Sequence, residues 1–130
     1  MILLSLVLGF AIGAERESRG KDAGISTHIL VITGAALFSV LSSLIDPAST
    51  SRIAAQIVTG IGFLGAGLII RDGVNVKNLT TAASLWVAAG IGMAIGFGFY
   101  SIAIIAGVFA LITPRIPHFH RRHSDERHEI

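Results

Sequence analysis

Four stretches of this chain, residues 1–14, 23–45, 53–70 and 78–114, contain no Asp, Glu, Lys or Arg, and together they make up 92 of its 130 residues. All 18 charged residues fall in the windows 15–22, 46–52, 71–77 and 115–130. A water-soluble domain distributes charge through every element so that each keeps one wet face. These stretches have no such face, and the solvent they suit is lipid. A hydrophobic content of 52% and a mean hydropathy of +0.75 agree. Intrinsic disorder and a soluble nucleic-acid binder are thereby excluded. The formal charge of +2 does not change this, because the basic residues border the apolar stretches, where membrane topology places them. The absence of cysteine removes disulfides, thiolate metal sites and cysteine nucleophiles.

The expected fold is an all-α polytopic membrane bundle. A bilayer core of roughly 30 Å takes about 20 helical residues. Residues 25–45 and 53–70 each fit one span. Residues 78–114 would reach about 55 Å as one helix, too far for a single crossing, so they must turn. The segment Gly96-Phe97-Gly98-Phe99-Tyr100-Ser101 is the natural place, giving spans at 79–95 and 101–113 that end before Pro114 and Pro117. Residues 1–14 form a short first span with no positive region before it, unlike a cleaved signal peptide. Its Gly9-x-x-x-Gly13 spacing suits close helix approach. Five spans put nine of the ten Lys and Arg residues on one side, with Arg52 alone opposite, whereas four spans would split them evenly. The positive-inside rule then sets the N-terminus outside and the C-terminus in the cytoplasm. The expected organisation is a membrane domain over 1–114 and a basic, histidine-containing tail over 115–130.

Small residues recur at intervals of four: Ala35, Ser39 and Ser43; Ala54, Val58, Gly62 and Ala66; Ala88, Gly92 and Gly96. In lipid, helices associate through close backbone approach, so these stripes predict packing within the bundle and self-association as a homodimer.

Several segments could carry chemistry. Glu15 follows a short span and lies near the hydrocarbon edge, where a carboxylate needs a partner, such as Arg16 or Arg19. An anchoring ion pair and a ligand- or ion-handling group are both open readings. His28 enters the second span as an interfacial hydrogen-bonding residue or a ligand. Gln56 is the strongest polar group in the third span and shares a face with Arg52. Gly60, Gly62, Gly65 and Gly67 crowd one segment, which implies either a helix break or close packing. Asn78 or Thr80 can cap the fourth span, whose free amides suit simple capping or an anion. Trp86 is expected in the core. His118, His120 and His123 form a pattern that binds transition metals easily, against the default of a solvated basic tail near anionic lipid. No nucleophile with a base and orienter is legible, so no enzyme and no cofactor are expected.

The runs Gly13-Ala14-Glu15-Arg16-Glu17, Arg19-Gly20-Lys21, Ala23-Gly24, Thr27-His28 and Gly34-Ala35-Ala36-Leu37-Phe38, then residues 52–67, Leu79-Thr80-Thr81-Ala82-Ala83 and Leu85-Trp86, resemble in order and spacing the MgtC/SapB family of bacterial inner-membrane proteins. The resemblance runs from about residue 9 to 96. It maps family motif positions onto Glu15, Arg16, Arg19, Gly24, Thr27, His28, Arg52, Gln56, Gly62, Gly65, Gly67, Thr80, Thr81 and Trp86. It implies a multi-pass inner-membrane protein tied to magnesium homeostasis, to adaptation to low magnesium and, in pathogens, to virulence. The soluble domain that follows the membrane part of longer members is not in this sequence. Two functions are compatible: a membrane regulator that contacts other membrane proteins, and a transporter or channel for a small ion or solute. The transporter's site would gather Glu15, the 60–67 glycines, Thr80 and Thr81 near the cytoplasmic face. Scarce intramembrane charge argues against a conventional Mg²⁺ path and favours the regulator.

Overall fold

A computed structural model describes residues 1–72 and 75–116. The order is α1 (Ile2–Ser18), α2 (Ile25–Ile45), α3 (Ser51–Leu68), a small hairpin of β1 (Ile70–Asp72) and β2 (Asn75–Lys77), α4 (Leu79–Gly96), α5 (Tyr100–Ile112) and a 3-10 turn, Thr113–Arg115. Helices α2, α3 and α4 are long and apolar enough to cross a membrane, while α1 and α5 have 17 and 13 residues.

The helix ends differ from the edges of the charge-free stretches for local reasons. Helix α1 runs on to Ser18 because Ala, Glu and Arg favour helix. It stops where Gly20 takes φ 64° and the Lys21 N–H reaches back to the Arg16 carbonyl at 3.1 Å. Helix α3 ends at Leu68, short of the expected 70, because the β-branched Ile69 and Ile70 turn extended. The antiparallel hairpin that follows sets Ile70 opposite Lys77 and Arg71 opposite Val76. Between α4 and α5, Gly98 adopts φ 82° while the Phe99 N–H bonds the Ala94 carbonyl at 2.8 Å.

Helices α2 and α4 form the centre. Ile32 and Ala36 of α2 and Ala88, Ile91 and Ile95 of α4 share one core with Leu8 and Ile12 of α1 and Ala103 of α5. The contact is backbone-close: a Cβ added at Gly92 would stand 2.7 Å from the Ala35 Cβ, and one at Gly9 would stand 2.7 Å from the Ile29 Cα. Two of the three small-residue stripes therefore meet each other, with Ala35 and Ser39 against Gly92 and Gly96.

The stripe on α3 finds a partner only at its first member: Ala54 is buried, but Val58 is 45% exposed and Gly62 and Ala66 are exposed, and α3 buries Ile61 and Gly65 in their place. Small residues lie on several faces of α3, so their spacing selects none. Ile57, Ile61 and Leu68, packed beside Leu85 and Ala89, decide the orientation. Trp86 also departs from expectation and is 59% exposed. Small residues set the closest helix contacts beside a few buried Ile and Leu side chains, and many other large apolar side chains face outward, as suits a lipid solvent. Leu30, Phe63, Ile105 and Phe109 are exposed in the same way.

Candidate functional site

One end of the bundle gathers most of the polar side chains. Glu15 and Arg19, one turn apart at the end of α1, form an ion pair, with the Glu15 side chain only 7% exposed. The pair is a charge contact: both Glu15 oxygens are buried without a hydrogen-bond donor among the described residues. Arg16, on the neighbouring face, is 2% exposed and donates from Nη2 to the Thr81 hydroxyl at 3.1 Å. Its Nε is buried without an acceptor. Arg19 also reaches across to the 3-10 turn after α5, donating from Nη1 to the Pro114 carbonyl at 2.9 Å.

His28 is fully buried, with Nδ1 donating to the Gly24 carbonyl at 2.9 Å and Nε2 standing 3.3 Å from the Ser84 Oγ. The single Ser84 proton has two acceptors in reach, the Thr81 carbonyl at 2.7 Å and, in the neutral ring whose Nδ1 donates, His28 Nε2. His28 is thus the hydrogen-bonding member of an α2–α4 joint. Glu17 accepts the Ile25 N–H at 3.2 Å, placing a carboxylate at the start of α2, where its charge suits the helix dipole.

Asn78 occupies the first position before α4 in the left-handed conformation, with φ 63°. Its side chain does not cap α4 as expected and neither does that of Thr80; the Asn78 amide donates instead to the Asp22 carboxylate. Asn tolerates this backbone region better than most residues, and the bond ties the segment before α4 to the segment after α1.

A cleft of about 570 Å³ opens at this end among α1, α4 and α5. Arg16, Arg19, Lys21 and Thr80 line its polar side, and Val87 and Phe109 its apolar side. Thr80 is exposed in it, whereas Thr81 is buried beneath it. Thr27 is half-buried on α2 without a hydrogen bond among the described residues.

Gln56 and the glycines of α3 lie apart from this cluster. Gln56 is exposed and lines a different groove of about 640 Å³ between α2 and α3, with Gly34, Phe38, Gly60 and Leu64. Helix α3 is continuous from Ser51 to Leu68, so Gly60, Gly62, Gly65 and Gly67 make no helix break. Nor do they all pack closely. Only Gly65 has a neighbour, the Ala82 Cβ at 3.6 Å from where its own Cβ would be, while Gly60, Gly62 and Gly67 face open space.

Ser84, Glu17 and the Asp22–Asn78 pair were missed as site residues. Ser84 had a faint signal, its spacing of three from Thr81 on a helix; the others depend on contacts between distant segments. The tail histidines His118, His120 and His123 lie outside the described residues. Among the described residues no group of three or more His, Cys, Asp or Glu side chains is placed to hold a metal ion.

Five helices, three of them able to cross a bilayer, sheathed in exposed apolar side chains and with cations drawn to one end, are the make-up of a helical membrane protein. The chain belongs to the MgtC family, whose sequence profile matches residues 2–122. It is 52% identical over 110 residues to "Protein MgtC" of Salmonella typhimurium (strain LT2), a match covering 85% of this chain and 48% of that protein. It is 50% identical over 108 residues to "Protein MgtC" of Brucella abortus (strain 2308), covering 82% of this chain and 45% of that one. It is also 45% identical over 130 residues to "Putative magnesium transporter YhiD" of Escherichia coli (strain K12), covering 91% and 59%. The chain thus spans about half the length of the curated relatives it matches. No solved structure matches it.

Proposed function

We propose that the chain is a multi-pass inner-membrane domain that acts in magnesium homeostasis as a membrane regulator and does not itself conduct Mg²⁺. The observation that carries this reading is the sign of the polar end. Arg16, Arg19 and Lys21 line its cleft, and the buried carboxylate beside them, Glu15, is already engaged by Arg19. Mg²⁺ sheds water reluctantly and is held by carboxylates with retained waters. At about 5 Å and an effective dielectric of about 20, one arginine would repel a divalent ion by roughly 7 kcal/mol.

Five crossings, with the N-terminus outside and the C-terminus in the cytoplasm, complete the reading. The Arg19–Pro114 and Asn78–Asp22 bonds support it by drawing three of the basic windows to one end. Arg52, paired with Asp46 at 3.7 Å, lies beyond the far end of α2, about 30 Å along that helix. The open space beside Gly62 and the exposed Val58 and Ala66 of its stripe support a homodimer or contact with another membrane protein.

A second reading, transport of a small ion or solute through this end, is favoured by the Glu15 oxygen that Arg19 leaves unengaged and by the name of the Escherichia coli relative. Flux measurements in proteoliposomes separate the two. The regulator reading expects no Mg²⁺ flux above protein-free vesicles for wild type, Glu15→Gln or Gln56→Ala. Flux in the wild type that Glu15→Gln abolishes would establish transport in its place. Because the chain has no cysteine, single cysteines at Ser18 and Ser49 test topology directly. An impermeant maleimide applied from outside should label position 49 and spare position 18.

A further inference from the structure

We propose that the cleft among α1, α4 and α5 is a binding site for a phosphate group, carried by a glycerophospholipid or free in solution. The inference deepens the membrane reading above and rests on it, since the cleft must then lie at the lipid–water boundary.

The cleft offers more donors than the protein satisfies. Arg16 is 2% exposed, its Nη2 is held by Thr81, and its Nε has no acceptor among the described residues. A buried charged N–H left without an acceptor is costly, and the cleft lining holds Arg16, Arg19 and Lys21 but no carboxylate, so on its wall the cations outnumber the anions. Around it stand the Thr80 hydroxyl, exposed and without a hydrogen bond among the described residues, and the exposed Lys21 ammonium. Glu15 subtracts one charge through Arg19, leaving a cationic balance on the cleft wall.

A single acceptor oxygen could meet one of these groups, whereas a phosphate presents several and matches guanidinium geometry. A carboxylate would also satisfy Arg16 but has fewer oxygens for Lys21 and Thr80. The opposite wall is apolar, with Val87 and Phe109 facing the same 570 Å³. Cations on one side and an apolar wall on the other suit an amphiphile, its phosphate among the cations and its chains along α4 and α5. A free phosphate would use the polar side alone.

The test uses the whole chain purified in dodecyl maltoside, a phosphate-free detergent, with phosphatidylglycerol retention measured by native mass spectrometry. The wild type should retain one phosphatidylglycerol in preference to diacylglycerol. Lys21→Gln combined with Thr80→Val should weaken retention at least about tenfold, since both side chains are exposed and leave the fold and the tail arginines unchanged. Inorganic phosphate and glycerol phosphate are titrated as competitors. Displacement by either identifies a site for the phosphate itself, and resistance to both identifies the lipid-borne form. Equal retention by wild type and double variant, or equal retention of phosphatidylglycerol and diacylglycerol, would overturn the proposal. Those failures differ from failure of the membrane reading, which would appear as a protein that does not incorporate into vesicles of any composition.

Discussion

Thr80 and Thr81 are adjacent and chemically identical, yet the structure assigns them opposite weights. The Thr81 hydroxyl accepts the one hydrogen bond that the buried Arg16 guanidinium makes among the described residues, while Thr80 points its exposed hydroxyl into the cleft. Thr81→Val keeps the shape and removes the acceptor, leaving a guanidinium 2% exposed with no hydrogen bond. A hydrogen bond to a charged group is worth about 1.5–3 kcal/mol, and orphaning its donor adds desolvation that is not recovered. We expect a loss of about 2–3 kcal/mol, or roughly 30–150-fold in the unfolding equilibrium. Thr80→Val should change stability by less than about 0.5 kcal/mol. Thr81→Ser, which keeps the hydroxyl, should recover most of the loss. Reversible unfolding in mixed micelles, followed by the fluorescence of Trp86, the single tryptophan, measures all three. If Thr81→Val were as stable as wild type, or Thr80→Val equally damaging, the account of Arg16 as a buried group anchored by one residue would be wrong.

Two further expectations concern packing and turns. Gly92→Ala forces a methyl to within 2.7 Å of the Ala35 Cβ, so α2 and α4 must part by about 1 Å to restore normal contact, at a cost of about 1–3 kcal/mol. Gly62→Ala meets nothing within 4 Å and should be neutral or slightly stabilising; equal effects in the same unfolding assay would refute the assigned helix faces. Gly98→Ala retains space but not conformation, since φ is 82° and no atom lies within 4 Å; it should cost about 1–2 kcal/mol, and Gly98→Asn less.

The distribution of charge makes the helices legible in the sequence, because lipid tolerates few exceptions to apolarity. The turn at Gly96–Ser101 was legible for the same reason, and Gly98 serves it in the way its position suggests. Faces were less legible. Gly92 and Gly62 both belong to stripes of small residues, and only the bulk of Ile57 and Ile61 shows that α3 turns Gly62 outward. Water would have marked the buried side of α3 by amphipathicity, and lipid leaves no such mark. Trp86 misled for this reason too. In the candidate site, Glu15 with Arg19 could be read from their spacing of four on one helix. The bonds from Arg16 to Thr81 and from Asn78 to Asp22 join segments 65 and 56 residues apart, and no local pattern encodes them.

The bond from Arg19 to Pro114 spans 95 residues and closes one side of the cleft. At a synthesis rate of roughly 5–20 residues per second, its two halves leave the ribosome about 5–20 s apart. Arg19 is therefore made while Pro114 is still unmade, and through that interval its partner in the protein is Glu15, one turn back on the same helix. Among the five helices the cleft is completed only with the last, so a chain halted before α5 would have its helical centre but an unfinished polar end.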